Sequence, residues 1–191
     1  MRSPAAPAFP EGLRYEAELI DAREEQRLIA EFRDLDFNPF QFHGFTGKRR
    51  VVYYGWRYDF DGGGLKRADP IPPFLLPARA LAAGFAGRDA SALEQALITE
   101  YAPGATIGWH RDRPVFGDVV GISLNTPCTF RFRRKVGERW ERRALIAEPR
   151  SAYRLGEAAR DEWEHSIPAV AALRYSITFR TLRDRHEGAR R

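Results

Sequence analysis

Arg174-Tyr175-Ser176-Ile177-Thr178-Phe179-Arg180 alternates apolar and polar residues without a break. In an extended strand successive side chains point to opposite faces. Tyr175, Ile177 and Phe179 therefore share one face, and Arg174, Ser176, Thr178 and Arg180 the other. An edge strand with its polar face in water is one reading of this stretch. The other is a strand at the centre of a closed β structure, with both faces buried, where two inward arginines are very costly unless a bound dianion neutralises them. At about 3.3 Å per residue the two arginines are anchored roughly 20 Å apart, and their long side chains leave room between the tips for a short dicarboxylate.

Upstream of this strand, runs at 96–101, 119–125, 128–133, 143–147 and 151–155 are short, apolar or alternating, and separated by turn signals. The first half reads differently. Asp21 stands three residues before Glu24 as a capping carboxylate, and Leu28, Ile29, Phe32 and Leu35 follow as one helical stripe. A second helical pattern covers Leu75 to Phe85, with Leu76, Ala80, Leu81 and Phe85 able to share a face. Helices first and many short strands afterwards argue against a doubly wound parallel sheet. They predict an α+β, mainly β fold, a sandwich or jelly roll with N-terminal helices packed on one sheet. Residues 1–12, rich in Pro and Ala, and the charged residues 184–191 are expected to be tails around a single domain at 13–183.

A chain of 191 residues, 43% hydrophobic and 13% aromatic, has enough apolar material for one core. Cys128 is the only cysteine, which excludes an intrachain disulfide and a multi-cysteine zinc site. MRSPAAPAFPEG lacks the apolar run of a signal peptide, and no stretch approaches the roughly 20 apolar residues of a membrane span, so a soluble, cytoplasmic monomer with no membrane partner is expected. The net charge of +5 and pI near 9.6 favour polyanionic partners.

Of four histidines, two stand in positions that suggest chemistry. His110 and Asp112 are separated by one residue, so in extended chain both project to the same side and can chelate one ion. His165, 53 positions after Asp112, can supply a third donor from another strand. Two imidazoles and one carboxylate leave open positions on an octahedral metal, the arrangement a non-haem iron(II) oxygenase needs. The competing reading is that His110 and Asp112 cap a turn after Pro103-Gly104 and that His165 ends a strand.

Glu100-Tyr101-Ala102-Pro103-Gly104-Ala105, His110-x-Asp112, His165 and the Arg174-x-Ser176-x-Thr178-Phe179-Arg180 run occur in the order found in the AlkB-like family of Fe(II)/2-oxoglutarate-dependent dioxygenases. The chain resembles that family closely over about 96–183 and loosely upstream. The resemblance implies a double-stranded β-helix as the catalytic core at 96–183, with the helices and a substrate-recognition segment at 13–95. It implies His110, Asp112 and His165 as Fe(II) ligands and catalytic centre. Arg174 would pair with the distal carboxylate of 2-oxoglutarate, and Arg180 with the carboxylate nearer the metal. Tyr101 would hydrogen-bond the co-substrate, and Thr99 and Ser176 stand where many relatives have Asn. With O2 as the other co-substrate, 2-oxoglutarate is oxidised to succinate and carbon dioxide while a substrate carbon is hydroxylated. When that carbon is bonded to nitrogen, the product falls apart to an aldehyde and the dealkylated nitrogen.

The family also implies N-alkylated bases of DNA or RNA as substrates, in repair or demethylation, with the base extruded or taken from a single strand. Lys48, Arg49 and Arg50, followed by Tyr53, Tyr54, Trp56, Arg57 and Tyr58, combine cations and rings that can hold phosphate and stack a base, and Trp109 adjoins His110 at the expected pocket mouth. Arg131, Arg133, Arg134 and Lys135 form a second basic run, with Arg131 and Arg133 opposite Phe130 and Phe132. The same residues are also explained as core strand aromatics with a solvated basic face. Base-repair relatives carry a further acid shortly after the His-x-Asp pair that reads an exocyclic amino group, whereas Arg113-Pro114-Val115 supplies none. Two other functions fit the sequence: a hydroxylase or demethylase of a protein side chain or small molecule, and a catalytically silent nucleic-acid-binding jelly roll.

Overall fold

The computed structural model describes residues 9–42, 45–60 and 62–183. The expected C-terminal tail and the first eight residues of the N-terminal one lie outside that range. The first half contains β1 (Leu13–Glu16), α1 (Ala22–Phe32), β2 (Asn38–Phe42), β3 (Phe45–Tyr54), β4 (Trp56–Tyr58), β5 (Leu65–Arg67) and α2 (Leu76–Ala86). The second half runs β6 (Gln95–Tyr101), β7 (Ile107–His110), β8 (Phe116–Leu124), β9 (Cys128–Val136), β10 (Arg139–Ala147), β11 (Ala152–Leu155), α3 (Glu157–Asp161), β12 (Glu164–Ile167) and β13 (Arg174–Leu182).

β13 holds the alternating stretch and lies inside the large sheet, whose order is β1-β11-β8-β13-β6-β3-β2. It is hydrogen-bonded antiparallel to β6 on one side and β8 on the other, so it is no edge strand. Both faces are covered. Tyr175, Ile177 and Phe179 join Ile98, Val120 and Ile122 under the helices, against Leu28 and Phe32 of α1 and Ala78, Ala82 and Phe85 of α2. The polar face turns toward a smaller sheet, β10-β9-β12-β7. A second core fills the space between the sheets, with Tyr101, Val119, Tyr153 and Leu155 meeting Phe130, Phe132 and Ile167. The molecule is the mainly β jelly roll expected, with helices on one sheet.

α1 begins as its sequence dictates: the Asp21 carboxylate accepts from the Glu24 amide at 2.7 Å, satisfying one free N–H of the first turn. α2 departs from the expected stripe. Leu76 and Leu81 are exposed, and the face against the sheet is made by Ala78, Ala82, Ala83 and Phe85. Small side chains let the helix approach closely, and a leucine on that face would hold it away.

The first half also contributes strands, so the basic aromatic segment follows the reading of core strand aromatics as far as its backbone is concerned. β3, ten residues long, pairs with β6 and extends the large sheet. β4 and β5 form a separate hairpin. Just before β1, Pro10 is buried, and the Gly156 amide donates to the Gly12 carbonyl at 3.1 Å. Gly12 has φ +82, and a Cβ there would lie 2.1 Å from the Gly156 carbonyl oxygen, so no other residue fits this turn. Among the described residues no helix is long and apolar enough to cross a membrane.

Candidate active site

Two four-residue strands create the centre of the site. β7 and β12 pair so that His110 and His165 stand directly opposite, with ring centroids 4.3 Å apart. Asp112 lies two residues beyond the end of β7, where the chain has left the extended form, and its Oδ2 is 3.6 Å from His165 Nε2. His110 Nδ1 sits 2.9 Å from the Gly108 carbonyl, which makes Nδ1 the protonated nitrogen and leaves the Nε2 lone pair free for a cation.

The protonation states suit a divalent metal. Burial pushes the His165 pKa down to about 3, helped by His110 and opposed by Asp112, so the imidazole is neutral. Burial alone would raise the Asp112 carboxyl, but Arg180, His165, His110 and Arg160 together outweigh it and hold the group well below the usual carboxylate range. The ionised Asp112 carboxylate and the neutral His165 imidazole need shed no proton to bind a metal. Among the described residues no three such donors stand close enough together to enclose an ion as they are placed, and in this cluster His165 Nε2 and Asp112 Oδ2 approach to 3.6 Å. Arg180 donates to Asp112 Oδ1 from Nε at 3.2 Å and Nη2 at 2.9 Å, which leaves Oδ2 for an ion.

The two arginines of β13 have different surroundings. Arg180 has a partner at each of its three nitrogens, since its Nη1 also donates to Gln95 Oε1 at 2.8 Å. Arg174 is 1% exposed and its Nη2 donates to Ser123 Oγ at 3.1 Å, while Nε and Nη1 have no hydrogen-bond partner. Its guanidinium faces the ring of Tyr101 at 4.7 Å, and Tyr101 Oη and Ser176 Oγ are 3.3 Å apart. Burial is the largest influence on Arg174 and opposes its charge, yet Tyr101, Cys128 and Tyr153 together outweigh it, so the group stays cationic, and the N–H groups left over at Nε and Nη1 fit the carboxylate of a small anion.

A cavity of about 540 Å³ opens over His110, Asp112 and His165. Thr99, Tyr101, Tyr153, Thr178 and Arg180 line its inner part, and Arg49, Tyr53, Tyr58, Phe60, Trp109, Arg111 and Arg113 also line it. Arg174 and Ser176 are absent from this wall and lie one layer deeper, against Tyr101. The alternation of β3 divides the expected substrate residues: Arg49, Val51 and Tyr53 face the cavity, whereas Tyr54 packs into the core beneath the helices. Arg50 is bound to Glu100 at 2.8 Å, Lys48 is exposed away from the wall, and Trp56 stacks under Arg67 at 4.0 Å. Lys48, Arg50, Tyr54 and Trp56 therefore stand outside the cavity wall. Trp109 lines the cavity and also carries Arg131 and Arg133 over its ring at 5.1 and 4.5 Å.

Several residues of the site had no signal in the sequence reading. Arg160, 4% exposed, donates from Nη2 to the carbonyls of Arg113 and Phe116, both at 2.7 Å, and from Nε to that of Gly117 at 3.0 Å. It clamps the segment that follows Asp112. Gln95, Ser123 and Tyr153 come from three different strands and show no motif. Tyr53 lies within the basic aromatic segment, and the period of two in β3 puts it on the same face as Arg49.

Comparisons with known proteins agree with this geometry. The model of the 2OG-Fe(II) oxygenase superfamily matches residues 14–180. The "Alkylated DNA repair protein ALKBH8 homolog" of Arabidopsis thaliana is 29% identical over 181 residues, covering 82% of this chain and 51% of that protein, so the chain spans about half the length of this relative. Among solved structures, OsALKBH1 is similar with a TM-score of 0.63 at 14% identity, covering 93% of this chain and 100% of that one. A Burkholderia pseudomallei oxidoreductase of the 2OG-Fe(II) oxygenase family gives 0.63 at 18% identity, covering 91% and 86%. A Pseudomonas putida prolyl-4-hydroxylase gives 0.60 at 15%, covering 91% and 94%. At such identities the structures speak for the fold, and the family rests on the match that runs through nearly the whole chain. This chain belongs to the 2OG-Fe(II) oxygenase superfamily.

Proposed function

We propose that this dioxygenase removes alkyl groups from nitrogen atoms of bases in DNA or RNA. The observation that carries the reading is the cavity lining: the rings of Tyr53, Tyr58, Phe60 and Trp109 and the guanidinium groups of Arg49 and Arg113 share one cavity with the His110, Asp112 and His165 cluster. Rings offer stacking to any base, and cations beside them suit a phosphate backbone. The relative named for alkylated DNA repair supports the same substrate class.

In this reading His110, Asp112 and His165 hold Fe(II), Arg174 takes the distal carboxylate of 2-oxoglutarate, and Arg180 stands beside the carboxylate nearer the metal. The bound metal, 2-oxoglutarate and O2 supply an oxidising power that no side chain has. The chain's own contribution is positioning. Arg180 keeps Asp112 ionised and turned, the Gly108 carbonyl orients His110, and Arg160 holds the loop that carries Asp112. One oxygen atom of O2 ends in succinate and the other in a hydroxymethyl group on the substrate nitrogen, which loses formaldehyde and leaves N–H. No general acid and base pair is required for that collapse.

Incubation with methylated oligonucleotides, Fe(II), 2-oxoglutarate and O2 is expected to release formaldehyde and the unmodified base in equal amounts. Succinate formation that no methylated nucleic acid stimulates would remove this reading and favour a protein or small-molecule substrate.

A further inference from the structure

We infer that the site selects an alkylated base that is electrically neutral and rich in carbonyl acceptors, of the N-alkylated uracil or thymine type, over the cationic N-methylated adenines and cytosines, and that Arg113 is a specificity-determining residue for this choice. The inference rests on the nucleobase reading above and concerns which base enters.

The charge inventory of the cavity is one-sided. Arg49, Arg111, Arg113 and Arg180 line it, with Arg111 donating from Nη1 to the Asp161 carbonyl at 3.0 Å, and the one carboxylate of its wall among the described residues is Asp112. That carboxylate is unavailable to a base, because Arg180 holds Oδ1 and Oδ2 faces His165. A divalent metal and a dianionic co-substrate bring equal and opposite charge, so loading the site leaves the excess of cations in place. Among the described residues the neighbouring acids have partners of their own: Asp59, between Tyr58 and Phe60, accepts from the Gly62 amide and from Lys66, and Glu100 accepts from Arg50.

Arg113 is fixed where it matters. Its carbonyl is held by Arg160, and its guanidinium lies over the rings of Tyr58 at 5.0 Å and Phe60 at 4.9 Å. Two aromatic faces pin a positive charge against the same rings that would stack an incoming base. A base that already carries +1 meets like charge in this cavity. At a separation of about 7 Å and an effective dielectric near 20, that repulsion disfavours it by more than about tenfold. A neutral imide base flanks its alkylated nitrogen with two carbonyl oxygens, and a guanidinium has only donors to offer, so the same residue that repels the cation satisfies the imide.

The test uses two oligonucleotides of identical sequence with a single 3-methyluridine, which is neutral, or 3-methylcytidine, which is cationic at neutral pH. Nucleoside mass spectrometry follows turnover, and fluorescence anisotropy follows binding to the same protein without turnover. The wild type is expected to prefer 3-methyluridine by about tenfold or more in kcat/KM and to bind it more tightly. Arg113→Glu is expected to narrow or reverse that ratio by improving 3-methylcytidine, and Arg113→Gln to narrow it less. Equal or better handling of 3-methylcytidine by the wild type overturns the inference and leaves the demethylase reading standing, as does a ratio that neither Arg113 variant moves. Failure to demethylate either oligonucleotide, with succinate formation unstimulated by both, removes the nucleobase reading and this inference with it.

Discussion

A guanidinium that is 1% exposed, with Nε and Nη1 lacking any hydrogen-bond partner, weakens the protein that contains it until an anion arrives. Arg174 is such a group, and Arg180, six residues along the same strand face, is not, because Asp112 and Gln95 already absorb its donors. Replacing Arg174 by Met, similar in length and free of charge, is expected to stabilise the ligand-free protein by about 1–3 kcal/mol, a rise of several degrees in Tm. The same variant is expected to lose the further rise that 2-oxoglutarate with Mn(II) gives the wild type. Thermal denaturation with and without both additives measures the two effects. A lower Tm for ligand-free Arg174→Met would show that the surrounding Tyr101 and Ser123 contacts already compensate the charge.

At the level of elements, the site depends on strands whose partners are far away in the chain. β8 and β11 pair with Gly121 opposite Tyr153, and a Cβ at Gly121 would come within 2.2 Å of Tyr153 Cζ. The missing side chain is what lets the Tyr153 ring lie on the sheet and form part of the cavity wall. Gly121→Ala is expected to cost about 1–3 kcal/mol through overpacking, seen as a lower urea midpoint at unchanged m. An unchanged midpoint would mean that the ring moves aside without loss. β3 makes the complementary point. Its alternation admits Arg49 and Tyr53 to the cavity and sends Arg50 and Tyr54 out of it, so a basic aromatic cluster in sequence becomes two separate surfaces in space.

For the whole molecule, acid is the condition that probes the centre. His165 is held neutral in the fold with a pKa of about 3 against an ordinary value of 6.5, so between those values the unfolded chain binds a proton that the folded chain refuses. Its contribution to stability is complete above pH 6.5 and is lost as the pH falls toward 3, and the depressed Asp112 carboxyl adds to the loss below the normal carboxylate range. The Tm of metal-free protein is therefore expected to fall as the pH is lowered from 7 to 4, and His165→Gln to flatten that fall. Parallel slopes for the two proteins would place the acid sensitivity elsewhere. The sequence alone determined what local rules can carry: the Asp21 cap of α1, the two-faced pattern of β13, the donor types at His110, Asp112 and His165, and the mainly β class. Only the tertiary structure decided that β13 is central and both its faces are buried, which turns an ordinary alternating strand into one that needs an anion. It also decided which cations face the cavity, and it recruited Gln95, Ser123, Tyr153 and Arg160 from distant elements. The reason is physical: periodicity and capping act between near neighbours in the chain, whereas burial, charge pairing and the membership of a wall arise from strand pairings tens of residues apart.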